Sequence, residues 1–147
     1  MTDRMNTVEG QLSTDLNACS DITDEIKKIE IGVLETGEKP KRYLDHETPA
    51  LVFECLECES IDPIVDSNEL TWERLHFVCL IINRGAQFDE TRRKIKELIS
   101  LVRDFLFSTD WTYAENTNLG RSGFEVGRSE NAFTVAAGIE FTVDVQV

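Results

Sequence analysis

No run of apolar residues in this 147-residue chain approaches the ~18–20 that a helix needs to cross a bilayer. The N-terminal MTDRMNTVEG has neither the basic start nor the apolar stretch of a secretory signal. Both absences lead to an expectation that the protein stays in the cytoplasm. Basic residues are scarce: 15 lysines and arginines stand against 28 aspartates and glutamates, a net charge of −13. Such a chain repels nucleic acid rather than collecting it. Histidine is scarcer still. With only His46 and His76, a nucleophilic triad has little to work with. Neither a GxxxxGK[ST] phosphate loop nor a DxDxDG calcium loop occurs.

What is present suits one packed domain over residues 1–147. Hydrophobic residues make up 41% and charged residues 29%, so a core is expected rather than disorder. The charge is uneven. Residues 1–73 hold 18 acids and 6 bases, whereas residues 74–147 hold 10 and 9, so nearly all of the excess lies in the first half. The four cysteines, Cys19, Cys55, Cys58 and Cys79, read as reduced, mostly buried small hydrophobes.

Residues 1–6 are expected to be a frayed, disordered end. From Val8, the positions Leu12, Leu16, Cys19, Ile22, Ile26 and Ile29 step by threes and fours, which predicts a helix over 7–30. A short strand over 31–35 and a charged loop over 37–47 follow. Pro49 leads into a strand over 50–57, then a turn over 59–69. A second strand, 70–83, is apolar on both faces toward its end and belongs inside the sheet. Arg84-Gly85 is expected to break it, with Asp89 as N-cap of a helix over 90–107. Ile95, Leu98, Ile99, Val102, Phe105 and Leu106 share one face of that helix. Arg92, Arg93, Lys94 and Lys96 lie in its first turns, against the macrodipole, so acidic partners in the chain or on a neighbour are expected. Residues 108–118 read as a loop or short strand, and 119–131 as a hairpin arm or a flexible loop with strand character around Phe124–Val126. Last, Phe133, Val135, Ala137, Ile139, Phe141, Val143 and Val145 alternate with Thr134, Ala136, Gly138, Glu140, Thr142 and Asp144. This is a two-faced strand. The predicted fold class is α+β: a mainly antiparallel sheet with two helices packed on one face, plus the arm.

Three constellations invite chemistry. Cys55-x-x-Cys58 and His76-x-x-Cys79 form two pairs of soft ligands with zinc-like spacing. Both pairs fall inside predicted strands, where residues three apart face opposite sides, so core cysteines are the preferred reading and no metal or cofactor is expected. The carboxylates Glu54, Glu57, Glu59, Asp62, Asp66 and Glu69 have no histidine or lysine nearby in sequence to complete an acid–base pair, and read as a solvated edge. Gly120-Arg121-Ser122-Gly123-Phe124 resembles a phosphate loop only in composition and joins no strand to a helix. The chain is therefore not expected to be an enzyme. Trp72, Trp111, Tyr113 and Phe124 fall at strand starts or in loops. Aromatic residues of this kind are enriched at protein interfaces.

The layout resembles the tail terminator (tail completion, minor tail protein U-like) family of long-tailed bacteriophages over most of residues 7–147. The matching features are the N-terminal amphipathic helix, the charged loop and Thr48-Pro49-Ala50-Leu51-Val52 opening the first core strand. A long strand with Trp72 and His76, the helix over 90–107 and the alternating C-terminal strand complete the likeness. The segment 108–131 aligns with nothing in that pattern. The resemblance implies a structural virion protein of a phage or prophage. Such proteins form a ring, expected to be a hexamer, that caps the tail tube and joins it to the head. Implied partners are copies of itself, the tail-tube protein and the head–tail connector, with DNA only as passing cargo and no membrane. The implied location is host cytoplasm during assembly, then the virion tail. Alternatives are another head–tail connector or tail-tube protein, or a small-molecule-binding α+β domain. Candidates for a subunit or tail-tube interface are Trp72, Arg92, Arg93, Trp111, Tyr113, Arg121, Phe124 and Arg128. At ~3.3 Å per residue, the thirteen residues 133–145 span ~43 Å, long enough to be shared with a neighbour or a lumen.

Overall fold

A computed structural model describes residues 4–32, 47–61, 72–129 and 132–146. The N-terminal apolar stripe folds as a helix, α1 (Arg4–Ala18), which buries Val8, Leu12 and Leu16. Its first turn is not frayed: Met5 packs on the core, and Arg4 Nη1 pairs with Glu73 Oε1 at 2.7 Å. The helix is shorter than its periodicity suggested. Cys19 takes an extended conformation, a second short helix follows, α2 (Ser20–Thr23), and the chain then enters strand β1 (Lys28–Ile31). Ile22 and Ile26 still face the core after the break, so the apolar spacing runs on where the helix does not. The short strand expected over 31–35 thus lies earlier. Residues 33–46, with most of the charged loop, fall outside the described residues.

Strand β2 (Ala50–Ile61) follows a cis Thr48–Pro49 bond and runs past Glu57 into the expected turn. Strand β3 (Trp72–Gly85) continues through Arg84 and Gly85, which do not break it. Helix α3 (Phe88–Phe107) starts one residue before Asp89 and is capped from Gln87 instead. The Gln87 carbonyl accepts from both the Thr91 N–H (3.1 Å) and the Thr91 hydroxyl (2.7 Å). After a 3-10 turn at Ala114–Asn116 come β4 (Thr117–Ser129) and β5 (Ala132–Gln146). Of the two expectations for residues 119–131, the hairpin arm is the one met, as β4 pairs antiparallel with β5 through Phe124–Val126. Among the described residues, no helix is long and apolar enough to cross a membrane.

The fold is α+β, with a five-stranded sheet in the order β1-β2-β3-β5-β4. All pairings are antiparallel except β1 with β2, which run parallel from Lys28↔Ala50 to Ile31↔Phe53. The alternating residues of β5 meet the expectation closely: Val135, Ala137, Ile139, Phe141, Val143 and Val145 are all buried. They pack with α1, α3 and the inward residues of β2 and β3 in one core. Phe77 and Phe141 stack across β3 and β5, 5.0 Å between centroids. Both edges of β5 are paired within the chain, to β3 and to β4. Its backbone is therefore not available to a neighbour.

A bulge between Cys55 and Glu57 interrupts the β2–β3 ladder. There the buried Glu9 of α1 reaches across, and its Oε2 accepts the Cys55 N–H at 2.9 Å. The helix thus satisfies a buried backbone donor of the sheet. Glu9→Ala is expected to cost about 1–3 kcal/mol, the penalty for leaving a buried donor unpaired. Urea titration would measure it, and a loss below a few tenths of a kcal/mol would show that water or a local shift replaces the carboxylate.

Candidate interaction surfaces

The zinc-like quartet is not assembled. The bulge inserts one residue between Cys55 and Cys58, so Cys55 lies opposite Phe77 and Cys58 opposite Leu75. Both thiols therefore point to the helix side, against the expectation for residues three apart in a strand. His76 points to the other face, where its Nε2 lies 2.8 Å from Glu59 Oε1. Cys79 is buried on the helix side. Burial pushes its thiol up to about 12, and burial likewise raises Cys55 to about 11. Cys58 also rises to about 11, first through desolvation and then because its thiol donates to Glu73 Oε2 at 3.0 Å. Thiols held protonated in this way are poor metal ligands and poor nucleophiles at neutral pH. Among the described residues, no three His, Cys, Asp or Glu side chains converge as an ion site.

Of the carboxylates, Glu59 does meet a histidine, because the β2–β3 pairing brings His76 beside it. Glu54, Glu57 and Glu59 line the sheet face away from the helices, while Asp62, Asp66 and Glu69 lie outside the described residues. Around Gly120-Arg121-Ser122, β4 has its own register shift, between Leu119 and Ser122. The approach is close at that point: a Cβ on Gly120 would stand 3.1 Å from the Glu140 carbonyl oxygen. Ser122 emerges on the helix side, where its hydroxyl accepts from Arg103 Nη1. Among the described residues, no hydroxyl or thiol hydrogen-bonds His76.

Two surfaces remain. The first is the sheet face opposite the helices. Val78, Leu80 and Ala136 form an apolar strip there around buried Ala50, Val52 and Ile82. Beside the strip, the face carries ion-paired Arg74–Asp144 and an open groove of about 510 Å³ lined by Leu56, His76, Val78, Gly120, Glu140 and Thr142. The second is the outer flank of β4. Among the described residues no strand pairs with its outer edge, so thirteen residues present backbone groups on one side. Phe124 and Val126 are exposed there (39% and 45%). The adjoining stripe of α3 is basic. Lys96 lies over the Phe124 ring, Arg103 bonds Ser122, and Arg92 lies over Phe88. Phe88 in turn packs on Phe133, and Arg128 covers the Phe133 ring.

The interface candidates therefore divide. Arg92, Phe124 and Arg128 gather on the helix side of the β4 flank, Arg121 lies at the irregularity of β4 beside a groove with Val78, Leu80 and Ala136, and Arg93 is exposed on α3. Trp72 and Tyr113 meet instead at a hollow of about 370 Å³ near the other end of the sheet. Trp111 belongs to neither group. It is 2% exposed, its Nε1 donates to Thr117 Oγ1 at 2.9 Å, and it meets Tyr113 edge-on. It is a core residue, unavailable to a partner, because the turn after α3 folds it inward. The partner expected for Lys94 lies within the chain, at Glu25. Lys96, Arg103 and Val126 were not singled out in the sequence. Spacing of 92, 96 and 103 on one helix face was the available signal, and the glycines and bulge of β4 masked the alternation of 122, 124, 126 and 128.

Comparison of the chain with protein-family models gives no match, and comparison with curated protein sequences gives none either.

Proposed function

We propose that this chain is a ring-forming structural subunit of a phage or prophage tail, a tail terminator that caps the tail tube and joins it to the head. The observation that carries this reading is the open edge of β4, a thirteen-residue strand with one side unpaired among the described residues. Such an edge in a native protein is a place for another chain to add. Three further features support it. The N-terminal helix, the two long strands, helix α3 and the C-terminal strand on which the resemblance rests all form. Among the described residues, no hydroxyl or thiol hydrogen-bonds the His76 of the His76–Glu59 pair. The net charge of −13 suits a ring through which DNA passes without being held. The partners are copies of the chain, six to a ring in the family that the sequence resembles, together with the tail-tube protein and the head–tail connector. Assembly takes place in the host cytoplasm and ends in the virion tail.

Negative-stain microscopy of the purified protein, alone at high concentration and with tail-tube protein, tests the reading. Rings with a central hole are expected. Strictly monomeric scattering at high concentration, together with no binding to tail-tube protein, would sink it.

A further inference from the structure

The two edges of the sheet differ in charge. Along the β4 flank, β4 carries Arg121 and Arg128 with Glu125 as its one acid, and the adjoining α3 brings Arg92, Lys96 and Arg103 beside it, with Asp89, Glu90, Glu97 and Asp104 as the acids of that helix. At the opposite edge, α2 and the turn after it carry Asp21 and Asp24, with Glu25 ion-paired to Lys94 and, on β1, Glu30 ion-paired to Lys28. Among the described residues, the β4 flank is thus the more cationic edge of the sheet and the β1–α2 edge the more anionic. Apolar surface accompanies both. Phe124 and Val126 are exposed on β4, and Ile31 is 46% exposed on β1.

We infer that the β4 flank of one copy takes the β1–α2 edge of a second copy, head to tail, continuing the sheet from subunit to subunit. This rests on the ring-forming reading and names its contact. Strand direction permits it. β1 runs parallel to β2, β3 runs antiparallel to β2, and two further antiparallel steps lead through β5 to β4. The two edge strands therefore point in opposite directions. A neighbour's β1 laid beside β4, with the helices kept on the same side, pairs antiparallel. The contact is heterologous, the type that closes into a ring when the rotation between subunits allows it. The competing arrangement, antiparallel β4 against β4 about a two-fold axis, sets two basic α3 flanks side by side, and like charges across an interface disfavour it. Because β1 has only four residues, backbone pairing covers part of β4. Ile31 against Phe124 and Val126, and the acids of α2 against the arginines, supply the rest of the contact.

A photo-crosslinking residue placed at Val126 in the full chain tests the contact, with cross-linked peptides identified by mass spectrometry. Cross-links to residues 20–31 of another copy are expected. Charge reversal supplies a second readout. Arg121→Glu with Arg128→Glu should weaken self-association roughly tenfold or more, as like charges then face each other. Adding Asp21→Lys and Asp24→Lys to the same chain should restore it. Circular dichroism confirms that each variant is folded, as expected for exposed edge positions. Cross-links confined to β4 of the other copy, or to its open sheet face, would overturn the inference while leaving ring formation standing. Unchanged assembly of the Arg121/Arg128 variant would do the same. A wild-type chain that never self-associates, alone or on tail tubes, removes the ring reading and this contact with it.

Discussion

Trp111→Ala is expected to lower the unfolding free energy by about 3–5 kcal/mol, the range for removing a large aromatic side chain from a packed core. Trp111 is among the largest fully buried side chains. It sits at the turn that sends the chain from α3 toward β4, so its loss opens a cavity where three parts of the fold meet. The polar end adds to the effect. The indole N–H donates to Thr117 Oγ1, and that hydroxyl donates to the Tyr113 carbonyl at 2.7 Å. Truncation also strips Tyr113 of its edge-on partner, 5.4 Å away. Trp111→Phe keeps most of the apolar contact and loses only the hydrogen bond, so a cost of about 1–2 kcal/mol is expected. Urea unfolding followed by circular dichroism measures both. A loss below about 1 kcal/mol for the alanine variant would show that Trp111 is not packed as described, and would return it to the set of surface candidates.

The second large effect is an alkaline one. Burial pushes the Cys79 thiol from 9.0 to about 12. Between those values the unfolded chain releases this proton and the folded chain keeps it. Stability from this group is therefore complete below pH 9 and is lost as the pH rises toward 12. Near pH 11 the loss from Cys79 alone is roughly 3 kcal/mol, at 1.36 kcal/mol for each unit separating pH from the unfolded value. Cys55, raised to about 11 by burial, adds to the same slope. Cys79→Ala exchanges some packing for the removal of that titration. Its stability should be lower than wild type at pH 7 and should fall less steeply above pH 9. Urea midpoints at pH 7, 9, 10 and 11 for both proteins test this. Parallel curves across that range would mean that the thiol is reached by solvent.

The proposed contact between the two sheet edges lies at a strand with a break in its register, β4. That explains why the candidate surface was only partly legible beforehand. Phe124 was singled out because aromatics are residues that interfaces favour, and Arg92 because it stands against the helix macrodipole. Their neighbours Lys96, Arg103 and Val126 join them only through the packing of α3 on β4. Trp111 satisfied the same composition rule and is buried. Residue type alone does not separate an interface aromatic from a core aromatic in a turn.

Local pattern was sufficient wherever one periodicity ran unbroken against one environment. The alternation of β5, the apolar face of α3 and the doubly apolar end of β3 each fixed an element and its buried side, because water itself selects the face that is hidden. Together they determined an α+β domain with helices on one face of the sheet. Tertiary structure decided what a one-residue shift decides. The bulge at Cys55–Glu57 turned Cys58 to the helix side, and the shift at Leu119–Ser122 set which side chains of β4 face α3. The break at Cys19, the parallel pairing of β1 and the placement of β4 at the open edge were settled there too. Each depends on partners distant in sequence, such as Glu9 accepting the Cys55 N–H across 46 residues, and no local pattern contains them.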